Sequence, residues 1–230
     1  MSGSPPPSRA IGDPLRSVAR PKQARSEQTL YRLLDAAESL IDEKGLADAS
    51  IPEIVRRAGS SVGGFYARFR DKDELLRALE ERFFREMAGR LDEITRPERW
   101  VEARIAQIVP ACVAELVGTF RERRALIGAF VSRAARDPEF MEDGLRFRRN
   151  VSERVVALLL ARSDEIRHPD PELAIDLGVQ LAFGIVHQLV IFGEIRVGAR
   201  RLSDRELERE LTRNVLAYLD SPGPVHRSEP

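Results

Sequence analysis

Histidine and cysteine, the side chains from which metal centres and nucleophilic sites are most often built, are nearly missing: the 230-residue chain carries three His and one Cys. A single cysteine excludes an internal disulfide and fits a reducing compartment. Cys112 lies in the apolar run Ile108-Val109-Pro110-Ala111-Cys112-Val113-Ala114, which reads as a buried, inert thiol. His168, His187 and His226 lack the spacings that hold zinc, and His168-Pro169-Asp170 reads as a loop between helices. The glycines of Gly59-Ser60-Ser61-Val62-Gly63-Gly64 do not continue to Lys-Ser/Thr, so they form no phosphate loop. No catalytic residue, metal site or cofactor is expected. No run of about 20 residues is apolar without interruption, so no membrane helix is expected either. The opening Met-Ser-Gly-Ser-Pro-Pro-Pro lacks the charged head and apolar stretch of a secretory signal. The expectation is a cytoplasmic protein.

Excess charge of one sign is also lacking, with 37 basic and 37 acidic residues. Lysine is scarce, three against 34 Arg, a bias we read as GC-rich coding rather than chemistry. The balance hides an asymmetry. Up to Lys72 there are 12 basic and 9 acidic residues, and beyond it 25 and 28. Arg9, Arg16, Arg20, Lys22 and Arg25 face only Asp13 in the first 25 residues, which also hold five prolines and no periodicity. That segment reads as a flexible basic arm suited to phosphate contact, or as a plain solvated tail.

Residues 50–75 carry the strongest local signal. Ser50 begins a helix, with Pro52 in its opening turn and Glu53 completing a capping box. Ile54, Val55 and Ala58 are its apolar face, and Gly59 permits a sharp turn. Ser61 caps a second helix whose apolar side is Val62, Phe65 and Phe69. This is a helix-turn-helix, a geometry that lays its second helix in the DNA major groove. Before it, Leu30, Leu33, Leu34, Ala37, Leu40 and Ile41 form a helical stripe ended by Gly45. After it, Asp71-Lys72-Asp73-Glu74 opens a helix lined by Leu75, Leu76, Leu79, Phe83 and Met87, running to about Ile94. Further helices are expected at about 98–120, 123–135, 138–163, 171–197 and 204–219. Strand alternation is found nowhere over a useful length. Asp137-Pro138, Asp170-Pro171 and the Ser203/Glu206 box mark three helix starts.

The run from Ala58 to Leu75, with its Phe65-Tyr66-Ala67-Arg68-Phe69-Arg70-Asp71-Lys72 segment, resembles the tetracycline-repressor (TetR) family of bacterial regulators. The resemblance covers Leu33 to about Leu76, including Ala36-Ala37 and Glu43-Lys44-Gly45. It implies an all-α fold: a three-helix helix-turn-helix head and a helical ligand-binding and dimerisation body, about nine helices in all. The expected division is a basic arm over 1–25, a DNA-binding domain over 26–72, a linking helix, ligand and dimer domain over 73–220, and a tail over 221–230.

The family pattern puts Tyr66 and Lys72 on DNA phosphates, which their donor groups suit. Ser50, Ser61, Arg25 and Arg68 are further DNA-binding candidates. The positions that usually read base edges hold Val62, Gly63 and Ala67, and Gly64 replaces a frequent small hydroxyl residue. None can make the two-pronged contacts of Arg to guanine or Asn to adenine. Direct readout is therefore expected to be thin, with specificity drawn from Arg68, Arg56 or Arg57, from the arm, and from DNA shape.

The resemblance also implies a ligand-responsive repressor that binds a palindromic operator as a homodimer and is released by a small molecule. The expected pocket is apolar, with Trp100, Phe130, Phe147, Phe183, Phe192 and the polar Gln180, His187 and Gln188. Residues 171–197 are apolar on nearly all sides, which points to a four-helix dimer interface of Gly178, Ala182, Ile185, Leu189, Leu207, Leu211, Val215 and Tyr218, with Gly184 permitting close approach. The alternatives are a monomer whose core takes both helices, a helical interaction protein that binds no DNA, and an activator or corepressor-dependent version of the same fold.

Overall fold

The computed structural model describes residues 24–222, so the expected arm up to residue 23 and the expected tail from residue 223 fall outside the described residues, while residues 24 and 25 already belong to the first helix. Nine α-helices and one β-hairpin are found among the described residues. They form two compact units that divide between Arg90 and Leu91, inside the helix Lys72–Ile94.

The first unit holds α1 (Ala24–Asp48), α2 (Ile51–Arg57), α3 (Val62–Tyr66) and the first part of α4 (Lys72–Ile94). Gly45, at φ 83°, breaks the α1 ladder where the sequence places the stop. Leu33, Leu34, Ala37 and Ile41 of α1, Ile54 and Val55 of α2, and Leu75, Leu76 and Leu79 of α4 are buried together with Phe65 and Phe69. Ion pairs brace the outside of this core. The Arg57 guanidinium holds both oxygens of Glu43, at 2.5 and 2.8 Å, and also donates to Ser39 Oγ at 2.8 Å. Lys44 Nζ reaches Glu53 at 2.6 Å. Arg82 of α4 pairs with Asp35 at 2.5 Å and with Glu38 of α1.

The second unit is built from α5 (Ile105–Glu122), α6 (Arg124–Ala134), α7 (Pro138–Leu160), α8 (Pro171–Phe192) and α9 (Asp204–Leu219). α8 packs against α5, α6, α7 and α9. By length and composition it is the one described helix long and apolar enough to cross a membrane. Its Ala174, Ile175, Gly178, Phe183 and Val186 are buried, while Leu173, Leu177 and Leu181 are exposed. The starts expected at Asp137, Asp170 and Ser203 are real caps. Asp137 accepts from the amides of Glu139 and Phe140, Asp170 from Leu173, and Ser203 exchanges bonds with Glu206.

Two expectations fail. Residues 98–104 are not α-helix: a 3₁₀ turn occupies Pro97–Trp100, and α5 starts at Ile105. The carbonyls there are spent elsewhere, since Arg162 donates to those of Ala103, at 2.6 Å, and Trp100. The absence of strands also fails. α8 stops at Phe192, capped by Gly193 at φ 77°, and β1 (Ile195–Val197) pairs antiparallel with β2 (Arg200–Leu202). Gly198, at φ 59°, supplies the left-handed residue of the two-residue turn between them. The apolar pattern runs on through Ile195 and Val197, and this masked the stop at Gly193.

Hydrogen bonds from Lys44 and then Ser50 hold the Glu53 carboxyl at about 2, against an ordinary 4.5. A carboxyl depressed on folding stabilises the native state above its unfolded pKa, and that contribution is lost as pH falls toward the folded value. Glu53→Gln is expected to lower the thermal midpoint at pH 7. The gap from wild type should close as pH drops from 4.5 toward 2, as followed by circular dichroism.

Candidate nucleic-acid interface

The turn between α2 and α3 closes by backbone chemistry alone. Gly59, at φ 57°, donates to Arg56 O at 3.3 Å, and Ser60 N–H donates to Val55 O at 2.9 Å. This nested pair is a Schellman stop, which needs a left-handed residue at its centre. Ser61 then caps α3, its hydroxyl accepting the Gly64 amide at 3.0 Å. At the other end Asp71 caps α4 by accepting the Glu74 amide at 2.8 Å.

α3 is thereby presented with one face in and one face out. Phe65 and Phe69 are fully buried and pack with tilted rings, their centroids 5.3 Å apart. Val62, expected on the same apolar side, is 47% exposed and faces outward with Gly63 and Ala67. Tyr66 is 55% exposed, its ring edge-on to Phe65, so its hydroxyl end is available to a partner. Lys72 is half-buried and donates to Ala47 O at 3.3 Å, which leaves two of its three donors. Burial lowers its pKa, against the opposing carboxylates of Asp48 and Asp73.

Other expected contacts are already occupied. The Ser50 hydroxyl donates to Glu53 at 2.6 Å. Arg68 turns back on its own helix, donating to Gly64 O at 2.7 Å. Arg57 is held on α1 by Glu43, whereas Arg56 is exposed. The side chain of Arg25 lies outside the described residues. The outward face of α3 therefore offers little but a methyl surface, backbone, and the Tyr66 and Lys72 donors at its rim.

In the second unit the expected pocket residues separate. A cavity of about 80 Å³ lies between α5, α7, α8 and α9, lined by Cys112, Leu116, Val155, Ile175, Phe183 and Val215 among others. Of the eight expected pocket residues only Phe183 lines it. Trp100 is buried with its indole donating to Ile94 O at 2.6 Å. Phe130 packs on Phe140, and Phe147 is half-buried on α7. His187 Nδ1 lies 2.7 Å from the Phe183 carbonyl, with the ring against Phe120. Phe192 is 70% exposed, Gln188 is exposed, and Gln180 borders an open polar groove of about 500 Å³. The cavity contains no charged side chain. Burial pushes the Cys112 thiol up to about 11, so it is protonated at neutral pH.

The expected dimer residues separate too. Gly178, Ala182, Leu189, Leu207 and Leu211 are buried within the protomer. A Cβ at Gly178 would meet Val215 of α9 at 3.5 Å, so this small residue serves close approach within the chain. Ile185, Val215 and Tyr218 are half-buried and Gly184 is exposed. The uncovered apolar side of α8 is instead Leu173, Leu177, Leu181, Ile191 and Phe192. Their spacing of four, four, ten and one was visible in the sequence, but a helix apolar all round does not say which side faces in.

Gly63 has an ordinary backbone, and a Cβ there would meet only Ser61 Oγ at 3.9 Å. Nothing among the described residues requires a glycine at this position. Gly63→Ala is expected to stabilise the first unit by roughly 0.5 kcal/mol through helix propensity. If the outward face of α3 enters the major groove as the motif implies, it should at the same time weaken duplex DNA binding, because a methyl there would hold the backbone off the base edges. Thermal melts and fluorescence anisotropy measure the two effects.

Comparison with known proteins agrees with this arrangement. Residues 33–79 match the pattern of bacterial regulatory proteins of the tetR family, and residues 104–219 match the tetracyclin repressor-like C-terminal domain. The HTH-type transcriptional regulator SrpR of Pseudomonas putida is 37% identical over 62 residues, 27% of this chain and 29% of SrpR. The A-factor receptor protein of Streptomyces griseus is 41% identical over 58 residues, 25% of this chain and 21% of its own. The matches to these two thus span under a third of each relative's length. A TetR-family regulator structure from Mesorhizobium loti superposes with a TM-score of 0.68 at 22% identity, covering 86% of this chain and 98% of the other. A regulator from Rhodococcus sp. gives 0.64 at 22% identity, covering 83% and 95%. With half of the chain matching the C-terminal domain and a head matching the N-terminal one, the protein belongs to the TetR family of bacterial transcriptional regulators, a family of regulators and not of enzymes.

Proposed function

We propose that the protein is a repressor that holds a palindromic operator as a homodimer and leaves it when a small apolar molecule binds the body. The observation that carries the DNA part is the outward face of α3, with Tyr66 and Lys72 offering donors beside a surface free of bulky side chains. Phosphate donors fix the register, and the small surface lets the backbone approach the base edges.

The exposed apolar stripe of α8 supports the dimer. Leu173, Leu177 and Leu181 recur every fourth residue, one above another on a helix face, and Ile191 and Phe192 extend the patch. A contiguous uncovered apolar face marks an interaction surface. A second copy is its occupant here, because two recognition helices about one DNA turn apart read an inverted repeat. Leu181→Glu is expected to convert a dimer to a monomer in analytical ultracentrifugation while leaving the circular dichroism spectrum unchanged. A Leu181→Glu dimer would remove this face from the account.

The cavity supports the effector part. At about 80 Å³ and without charged lining, it admits only a small neutral molecule unless α5, α7 and α8 part. An effector that parts them binds the expanded body better than the resting one, and that difference is what shifts the equilibrium. Arg154, next to the cavity-lining Val155, pairs with Asp92 in the last turns of α4. Movement of α7 therefore reaches α4, the helix that continues into the first unit.

Selection of binding sequences from random duplexes by the full chain tests the reading. An enriched inverted repeat is expected, and enrichment of a single unpaired half-site would contradict the dimeric operator. The absence of any enrichment, with the protein folded, would contradict DNA binding itself.

A further inference from the structure

Position 64 lies on the second helix of the motif and has no side chain. A Cβ placed on Gly64 would stand 2.7 Å from Ser60 Oγ and 3.3 Å from Ser61 Oγ. Side-chain carbons do not come that close to an oxygen, so the Ser60 hydroxyl occupies the space that a residue at 64 would fill. It is not there to cap the helix. That task falls to Ser61, whose oxygen accepts the Gly64 amide at 3.0 Å. Nor does it serve the turn: Ser60 contributes only its backbone amide, donated to Val55 O at 2.9 Å. The Ser60 hydroxyl has no hydrogen-bond partner among the described residues, although the residue is half-buried and its backbone is fixed by the Schellman turn.

The surroundings make this hydroxyl distinctive. Val62, Gly63 and Ala67 carry no hydrogen-bonding side chain, and the Arg68 guanidinium is turned onto Gly64 O. Tyr66 and Lys72 sit toward the rim and suit phosphates. A hydroxyl without a partner among the described residues, carried on a fixed backbone into the place of the missing side chain, is able to donate or accept at a base edge.

We propose that Ser60 is a specificity-determining residue, its hydroxyl standing in for the side chain absent at position 64 and hydrogen-bonding a base edge in the major groove. The assignment rests on the DNA-binding reading above. It moves one element of direct readout from the recognition helix into the turn before it. It also makes Ser60 and Gly64 a coupled pair, because a side chain at 64 displaces the hydroxyl of 60.

The test uses the full chain, the duplex enriched by selection, an unrelated duplex of equal length, and single-base variants of the enriched one. Ser60→Ala should bind the enriched duplex about fivefold more weakly, the effect of one hydrogen bond. It should bind the unrelated duplex as wild type does and lose discrimination at one base pair. Gly64→Ser alone should also weaken binding, and the double variant Ser60→Ala/Gly64→Ser should recover part of the loss, since its hydroxyl returns to the same space. Matched thermal midpoints confirm that the variants fold, and Gly64→Ala, which pushes on Ser60 without removing it, gives an independent arm. Unchanged affinity and base preference for Ser60→Ala overturn the proposal. An equal loss on every duplex also overturns it, by making the contact a phosphate one. If wild type itself binds no duplex while folded, the DNA-binding reading fails and this assignment falls with it.

Discussion

Burial of Phe65 and Phe69 is the interaction on which the rest of the first unit depends. A five-residue helix with two glycines has no stability of its own, because nucleation costs more than so few hydrogen bonds return. α3 exists because Phe65 within it and Phe69 just beyond its end enter the core formed by α1, α2 and α4, each contributing on the order of 1.5–3 kcal/mol. Their spacing of four fixes which way the helix faces. Once they point inward, Val62, Gly63, Tyr66 and Ala67 have nowhere to go but out. The ion pairs of Arg57 with Glu43, Lys44 with Glu53 and Arg82 with Asp35 lie outside this core. Exposed pairs of this kind are individually weak, so they orient the helices more than they hold them.

The second unit solves a different problem. α8 has more apolar surface than one core can cover. Its inner side meets α5, α7 and α9, while Leu173, Leu177 and Leu181 remain in contact with solvent. The inner side is also imperfectly filled, and the space left over is the apolar cavity beside Phe183 and Cys112. A helix that contributes both to a cavity and to an uncovered face is a natural place for ligand binding and subunit association to influence one another. The Arg154–Asp92 pair ties the neighbouring helix α7 to α4 in the same unit.

Much of this was legible in the sequence where local chemistry decides the outcome. Gly45, Gly59, the Asp-Pro starts of α7 and α8 and the Ser203/Glu206 box each act within a turn of their own position, and each appears where expected. Facing was harder. Val62 fits an apolar stripe with Phe65 and Phe69, yet α3 ends at Tyr66, and the two aromatics, one in the helix and one after it, take the core while Val62 stays outside. The same holds for α8, where apolar residues on all sides leave the inward direction to be set by its neighbours. The pocket candidates were chosen for being aromatic. Trp100 and Phe130 instead fill ordinary core positions, and the cavity is lined chiefly by aliphatic side chains whose sequence pattern resembles any buried helix. Ser61 was legible as the cap, whereas the place of the Ser60 hydroxyl against Gly64 depends on how the turn folds back, which no local rule states.

In the proposed role, a chain without net charge holds a polyanion through a small, locally exposed surface. The most direct measurement is the dissociation constant for an enriched inverted-repeat duplex followed against salt concentration, for wild type and for Lys72→Ala. Phosphate neutralisation predicts a steep linear fall of log affinity with log salt, and a slope shallower by about one for Lys72→Ala. A flat salt dependence, or a slope unchanged by removing Lys72, would contradict the claim that the rim of α3 is held to DNA by its phosphates.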